Sequence, residues 1–269
     1  MTALLAIDIG NTNVTVGVFD LSDPTKPALA HHWRMATHRE QTSDEILVTL
    51  HGLTGLAGCK LESIRDAIVS TVVPPLLPIW ERVCSKLLGK PPLVVGPGIK
   101  TGMPVRYENP REVGADRIVN SVAAYELMGG PVIAVDFGTA TTWDCVSERG
   151  EYLGGAIFPG IVISMEALFE RTSMLHRVEL ARPRSVIGRT TTQSIQSGLL
   201  FGYAGLVDAM VRRIKGELGE QTRVIATGGL AQRIAAETET IERVEPHLTL
   251  EGLRLLFEKN RSQEKPTIS

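Results

Sequence analysis

One short pattern occurs twice in the chain. Asp8-Ile9-Gly10-Asn11-Thr12 and Asp136-Phe137-Gly138-Thr139-Ala140 each end an apolar run and open a second run of strand character. The two aspartates lie 128 positions apart, about half of the 269 residues. After the first turn, Val14, Val16 and Val18 alternate with Thr15, Gly17 and Phe19, the period of a strand with one buried face. The chain therefore opens with a β-hairpin and not with the strand–loop–helix of a dinucleotide-binding unit. A strand–Asp-x-Gly–hairpin unit that recurs at half-length predicts two duplicated α/β lobes.

The remaining signals fill in both lobes. A third strand is expected over Leu29–Ala36, and a helix from Ser43 to Leu56 with acidic residues in its first turn. A strand follows over Ala67–Val72. Pro74 and Pro75 suit the first turn of a helix reaching Leu88, on which Leu76, Trp80 and Val83 form a core stripe. Leu93–Val95 is a short last strand of this lobe. Gly and Pro punctuate residues 96–110, and a helix is expected over Val113–Leu127. In the second lobe, strands are expected at Val132–Asp136, Thr141–Val146 and Tyr152–Phe158. A helix to Arg171, a long helix over Thr191–Leu218 and a strand at Val224–Ala226 come next. A helix at Leu230–Glu237, a strand at Ile241–Val244 and a helix at Leu250–Phe257 complete the lobe. The expected division is 1–111, 112–257 and a polar tail at 258–269.

Composition narrows the class of function. Hydrophobic residues make up 43% and charged residues 22%, which places the chain among folded globular proteins. The longest apolar run falls short of a membrane span. Three scattered cysteines, Cys59, Cys84 and Cys145, suit a reducing, cytoplasmic setting and lack the spacing of a zinc site. With 28 basic against 30 acidic residues and 5% aromatics, nothing favours nucleic acid as a partner.

Both turns carry the groups that grip an anion. Gly10 lets backbone approach a ligand, and Asn11, Thr12, Asn13 and Thr15 surround it with donors. Asp8, at the strand end, is placed to hold Mg²⁺ through water. In the second turn Asp136 is a candidate cation ligand and Thr139 a candidate phosphate contact. Thr227-Gly228-Gly229, after a strand and before a helix, would let a flat nucleoside lie against backbone. Between the lobes stands Asn109-Pro110-Arg111-Glu112-Val113-Gly114-Ala115-Asp116-Arg117. Asn109 and Glu112 have capping-box spacing with Pro110 at the first helical position, or the helix starts near Gly114 and leaves its N–H groups to an anion. Asp116 is a candidate proton acceptor and Arg117 a partner for a carboxylate or phosphate.

The two hairpins and the Gly-Gly turn resemble the acetate kinase/sugar kinase/Hsp70/actin superfamily. That resemblance implies two ribonuclease H-like lobes, each a mixed sheet flanked by helices, with a central ATP cleft. Asp8-Ile-Gly-Asn-Thr-Asn, Tyr107-Glu-Asn-Pro, Gly114-Ala-Asp-Arg117, Asp136-Phe-Gly-Thr-Ala-Thr-Thr, Gly154-Gly155-x-Ile-x-Pro-Gly160 and Gln196-Ser-Gly198 together are similar to the type III pantothenate kinase family, over residues 3–257. The resemblance implies ATP-dependent phosphorylation of pantothenate to 4′-phosphopantothenate, the first step of coenzyme A biosynthesis. It implies ATP contacts at Asp8, Ile9, Gly10, Asn11, Thr12, Asn13, Val14, Thr15 and Thr139, with Asp116 as proton acceptor. Pantothenate contacts fall on Tyr107, Gly114, Ala115, Asp116, Arg117 and Thr191, and a monovalent cation, K⁺ or NH₄⁺, on Asp136. The family usually has Asn where this chain has Thr190. It is dimeric, with a pantothenate site built by both protomers. The long helix, with Leu199, Leu200, Ala204, Leu206, Val207, Met210 and Val211, is either a dimer seam or an ordinary core helix. Two other functions fit the hairpins: another kinase or phosphohydrolase of the superfamily, or a non-catalytic ATP-binding regulator.

Overall fold

A computed structural model describes residues 3–23 and 25–261. Two compact units make up the chain. The first comprises residues 1–102, 109–123 and 249–269, and the second residues 103–108 and 124–248.

The first unit is built on a five-stranded mixed sheet. Its strands are β1 (Ala3–Ile9), β2 (Asn13–Asp20), β3 (Ala28–Ala36), β4 (Ile64–Thr71) and β5 (Leu93–Val94), in the order β3-β2-β1-β4-β5. β1 pairs antiparallel with β2 and parallel with β4, so the hairpin lies at the centre of the sheet. Helix α1 (Ser43–Leu56) starts at Thr42, whose hydroxyl caps the N–H of Glu45 while the Glu45 carboxylate accepts from the Thr42 N–H. Helix α2 (Leu77–Leu88) follows a 3₁₀ turn at Pro74–Leu76 and buries Trp80, Val83 and Cys84. These side chains join Leu5, Ile7, Val16 and Val69 in one core.

The second unit repeats the plan. β6 (Val132–Phe137), β7 (Ala140–Val146), β8 (Tyr152–Pro159), β9 (Arg223–Thr227) and β10 (Arg243–Val244) stand in the order β10-β9-β6-β7-β8. Strand for strand this is the first sheet, with β6 in the place of β1 and β9 in the place of β4. Helices α4 (Ile161–Arg171), α5 (Thr191–Leu218) and α6 (Ala231–Ala235) belong to it. Leu199, Leu200, Ala204, Val207 and Val211 of α5 are buried in this unit's own core, and Leu206 and Met210 pack against it. The apolar stripe of the long helix thus packs into the core of its own unit.

Three sequence expectations are revised by packing. α3 begins at Ala115 and ends at Met128, preceded by a separate 3₁₀ turn at Pro110–Glu112. Asn109 caps that turn by accepting from the Arg111 N–H, and its side-chain amide donates to Glu112, so the reciprocal capping box is not formed, while the helix itself starts just after Gly114. The final helix, α7, spans Leu248–Arg261 rather than Leu250–Phe257. Asn260 exchanges hydrogen bonds with the Lys100 backbone, which gives residues 258–261 a fixed helical turn. The rest of the expected tail, 262–269, lies outside the described residues. From Thr249 on, α7 belongs to the first unit, where Leu250 packs on Gly17 and Gly252 abuts the Val119 carbonyl of α3. A single boundary at 111/112 therefore does not describe the compact units.

Candidate active site

The hairpin tip of the first unit carries Asp8 one residue before the end of β1. In register it faces Thr15 on β2 and Ser70 on β4. The Ser70 hydroxyl donates to Asp8 Oδ1 at 2.5 Å. Asp8 is enclosed, and burial raises its carboxyl from 3.8 to about 7, with the hydrogen bond from Ser70 opposing the rise and the charge of Asp116 adding to it. Ser70 is fully buried and was not anticipated from sequence. The available signal was a pair of hydroxyl residues, Ser70-Thr71, closing an otherwise apolar strand. Gly10, Asn11 and Thr12 form the turn, closed by the Gly10 N–H donating to the Asn13 carbonyl at 3.0 Å; Asn11 and Thr12 are exposed. Ile9 and Val14 are buried core residues, so their part in any ligand contact falls to backbone.

Asp116 reaches the same unit from α3. The loop after β4 meets the helix start: a Cβ at Gly114 would lie 3.6 Å from Val72 and 2.5 Å from Asp116 Oδ1. The missing side chain leaves that space to the carboxylate. Asp116 Oδ1 accepts from the Arg117 N–H at 2.8 Å. Its carboxyl is raised by burial, against the hydrogen bond and charge of Arg117, which lower it. Two carboxyls of raised proton affinity, Asp8 and Asp116, thus interact electrostatically in one unit. Such a pair is a common mark of a reactive site.

In the second unit Asp136 occupies the place of Asp8. It faces Thr142 on β7 and Thr227 on β9, as Asp8 faces Thr15 and Ser70. The turn bond also recurs, from the Gly138 N–H to the Ala140 carbonyl at 3.0 Å, around a loop one residue shorter. Thr139 is exposed at this tip. Gly228, in the left-handed region at φ +97°, backs onto the aspartate: a Cβ there would lie 2.5 Å from Asp136 Oδ1. Among the described residues no three His, Cys, Asp or Glu side chains converge into a metal-binding group. A monovalent cation at Asp136 would draw most of its ligands from carbonyls, hydroxyls, water or substrate, a donor set suited to K⁺ or NH₄⁺ rather than to a transition metal.

The other expected substrate residues also lie in the second unit. Tyr107 packs on Tyr152 with ring centroids 6.4 Å apart, after Arg106 pairs with the Tyr152 backbone. Tyr152 in turn donates to the buried Asp144 at 3.0 Å, giving the Tyr107 ring a fixed support. Thr191 is the first residue of α5 and lines an open cavity of about 820 Å³ with Arg189, Ser194, Leu168 and Leu175. Thr190 is the N-cap of α5, its hydroxyl accepting from the Gln193 N–H at 3.2 Å. A threonine here performs the capping that an asparagine would.

Two duplicated α/β lobes, each with an Asp at the tip of its central hairpin, define an ATPase-fold protein of the acetate kinase/Hsp70/actin type. Solved structures agree on the fold. A conserved Campylobacter jejuni protein assigned to the Baf family of transcriptional activators is 18% identical and superposes with a TM-score of 0.59, covering 96% of this chain and 99% of that one. The activator of 2-hydroxyisocaproyl-CoA dehydratase from Clostridium difficile, with bound ADPNP, gives 0.51 at 12% identity, covering 98% and 99%. The family model for type III pantothenate kinase matches residues 4–213. The type III pantothenate kinase of Geobacter sulfurreducens is 55% identical over 258 residues, 96% of this chain and 99% of that protein. That of Moorella thermoacetica is 52% identical over 257 residues, again 96% and 99%. The chain belongs to the type III pantothenate kinase family.

Proposed function

We propose that the protein transfers the γ-phosphoryl group of ATP to the terminal hydroxyl of pantothenate, giving 4′-phosphopantothenate and ADP. The observation that carries the reading is the half-buried Asp116, whose carboxyl is raised and which interacts electrostatically with Asp8 in the first unit. A hydroxyl becomes a nucleophile when a nearby group accepts its proton. A carboxyl held above its ordinary range is a better acceptor near neutral pH than an exposed one. Asp116 takes the proton as the hydroxyl oxygen bonds to phosphorus and the bond to the β–γ bridging oxygen breaks. Arg117 pairs with the pantothenate carboxylate, with Gly114 and Ala115 beside it, and Tyr107 and Thr191 complete the substrate contacts.

Residues Asp8, Ile9, Gly10, Asn11, Thr12, Asn13, Val14 and Thr15, together with Thr139, bind the ATP phosphates. Asp8 would hold the Mg²⁺ of ATP through water, and Asp136 would hold a K⁺ or NH₄⁺ that would offset phosphate charge. Most of the acceleration comes from positioning and charge stabilisation. The protein works in the cytoplasm as a homodimer. The support for dimerisation is the apolar surface that the second unit leaves exposed: Ile157 at 65%, Val162 at 47%, Ile163 at 43% and Leu168 at 42%, on β8 and α4. A second copy of the chain is its occupant.

The test is ADP release with and without pantothenate, in K⁺ and in Na⁺. Pantothenate-dependent ADP in K⁺ is expected. No pantothenate-dependent ADP in either salt would overturn the reading. Equal turnover in K⁺ and Na⁺ would remove the role of Asp136 alone.

A further inference from the structure

The duplicated turns differ in one respect that nothing above explains. In each unit the residue just after the third strand donates its N–H to a carbonyl of the hairpin turn. In the first unit this is Thr37 to Thr12 at 3.0 Å, and in the second Gly160 to Thr139 at 3.1 Å. The backbone bond is shared, but the side chain is not. The Thr37 hydroxyl continues to the Gly10 carbonyl and donates to it at 2.7 Å. A Cβ at Gly160 would lie 2.2 Å from the Thr139 oxygen and 2.6 Å from the Gly138 oxygen, so that position admits no side chain.

We infer that Thr37 is a positioning residue for ATP, holding the Gly10–Asn13 turn in the orientation that presents backbone N–H groups to the phosphates. The inference rests on the reading of residues 8–15 as the phosphate segment. The reasoning is peptide geometry. In a trans peptide the C=O and the following N–H point in opposite directions. With the Gly10 and Thr12 carbonyls both drawn to Thr37, the N–H groups of Asn11 and Asn13 are directed away from it. The Asn13 carbonyl is taken by the Gly10 N–H. Three carbonyl oxygens of this turn are thereby occupied within the protein. A carbonyl turned outward would repel a phosphate oxygen, whereas an N–H attracts it. No ladder bond can do this for Gly10, because β1 ends at Ile9. The first turn is also the longer of the two by one residue, and so has more need of a clasp.

The experiment is steady-state kinetics on the full-length protein with Thr37→Val, Thr37→Ser and Asn11→Ala. Valine keeps the shape and the backbone N–H and removes only the hydroxyl. Losing one neutral hydrogen bond predicts a KM for ATP raised about three- to tenfold. The KM for pantothenate should stay within about twofold and the thermal midpoint within about 2 °C, and serine should restore the KM for ATP. If Thr37→Val leaves the KM for ATP unchanged while Asn11→Ala raises it, the inference fails and the phosphate reading stands. If neither variant moves it, the phosphate reading fails and the inference with it. If Thr37→Val raises both KM values together and lowers the midpoint, Thr37 is merely structural and the inference is overturned.

Discussion

Asp8 carries a stability cost that can be measured without any substrate. Its carboxyl is raised from 3.8 to about 7, chiefly because burial disfavours the charged form. The sign follows from proton counting. Between pH 3.8 and about 7 the unfolded chain has released this proton and the folded chain retains it, so stability falls as pH rises through that window. Above about pH 7 the full penalty is present, about 4 kcal/mol for a displacement of this size. Below pH 3.8 it vanishes. Asp8→Asn removes the charge and keeps an oxygen to accept from Ser70. The variant should therefore be more stable than the parent by about 2–4 kcal/mol at pH 8.5, after allowing for the new amide protons. At pH 4.5 the advantage should shrink to less than about 1 kcal/mol. Asp116 reinforces the effect, since its own raised carboxyl no longer faces a second charge. Urea unfolding of both proteins at pH 4.5, 6, 7 and 8.5, free of nucleotide and Mg²⁺, gives the difference directly. Ser70→Ala is the opposite control, because loss of the hydroxyl deprives the charged form of the hydrogen bond that stabilises it. Parallel stability curves for Asp8→Asn and the parent, or a variant less stable at pH 8.5, would refute the reasoning. On the proposed role of Asp8 toward Mg²⁺-ATP, the stabilised variant should at the same time lose turnover.

Asp116→Asn should fold and bind ATP but lose turnover by orders of magnitude; a near-normal kcat would remove Asp116 from the proton-accepting role. Thr190→Ala should cost about 1 kcal/mol in urea unfolding through loss of the α5 cap, while Thr190→Asn should be neutral; an equal loss in both would mean that the hydroxyl does something other than capping. Ile163→Glu, on the exposed face of α4, should convert a dimer to a monomer in light scattering while the circular dichroism spectrum is kept. An intact dimer would place the interface elsewhere.

The frame was legible because it rests on period and punctuation. Alternating valines after Gly10 and an apolar run before Asp136 predict hairpins whatever the rest of the chain does. Helix ends such as Thr42 and Pro74 are marked by local chemistry. What escaped was set by contacts between distant residues. Lys259, Asn260 and Arg261 read as polar tail in sequence, yet they continue α7; Asn260 bonds the Lys100 backbone, 160 positions away. Ser70 and Thr37 carry no motif, and each becomes visible only when β4 and β3 are laid beside β1 and β2.

The same comparison shows how a duplicated frame comes to differ at its two turns. Both central strands end in an aspartate flanked by hydroxyl residues at matching register, Thr15 and Ser70 for Asp8, Thr142 and Thr227 for Asp136. The sheet therefore specifies where a carboxylate stands, and it does so twice. The residues at and just beyond the strand ends differ between the two units. In the first unit they are Ser70 on Asp8 and Thr37 on the turn, both hydroxyl donors. In the second they are Gly228 and Gly160, which bring bare backbone up to Asp136 and to the Gly138–Thr139 carbonyls. A hydroxyl draws carbonyls and a carboxylate inward and leaves N–H groups facing out, which favours an anion. We propose that the copied fold thereby serves two ends, the first turn gripping an anion and the second holding a cation.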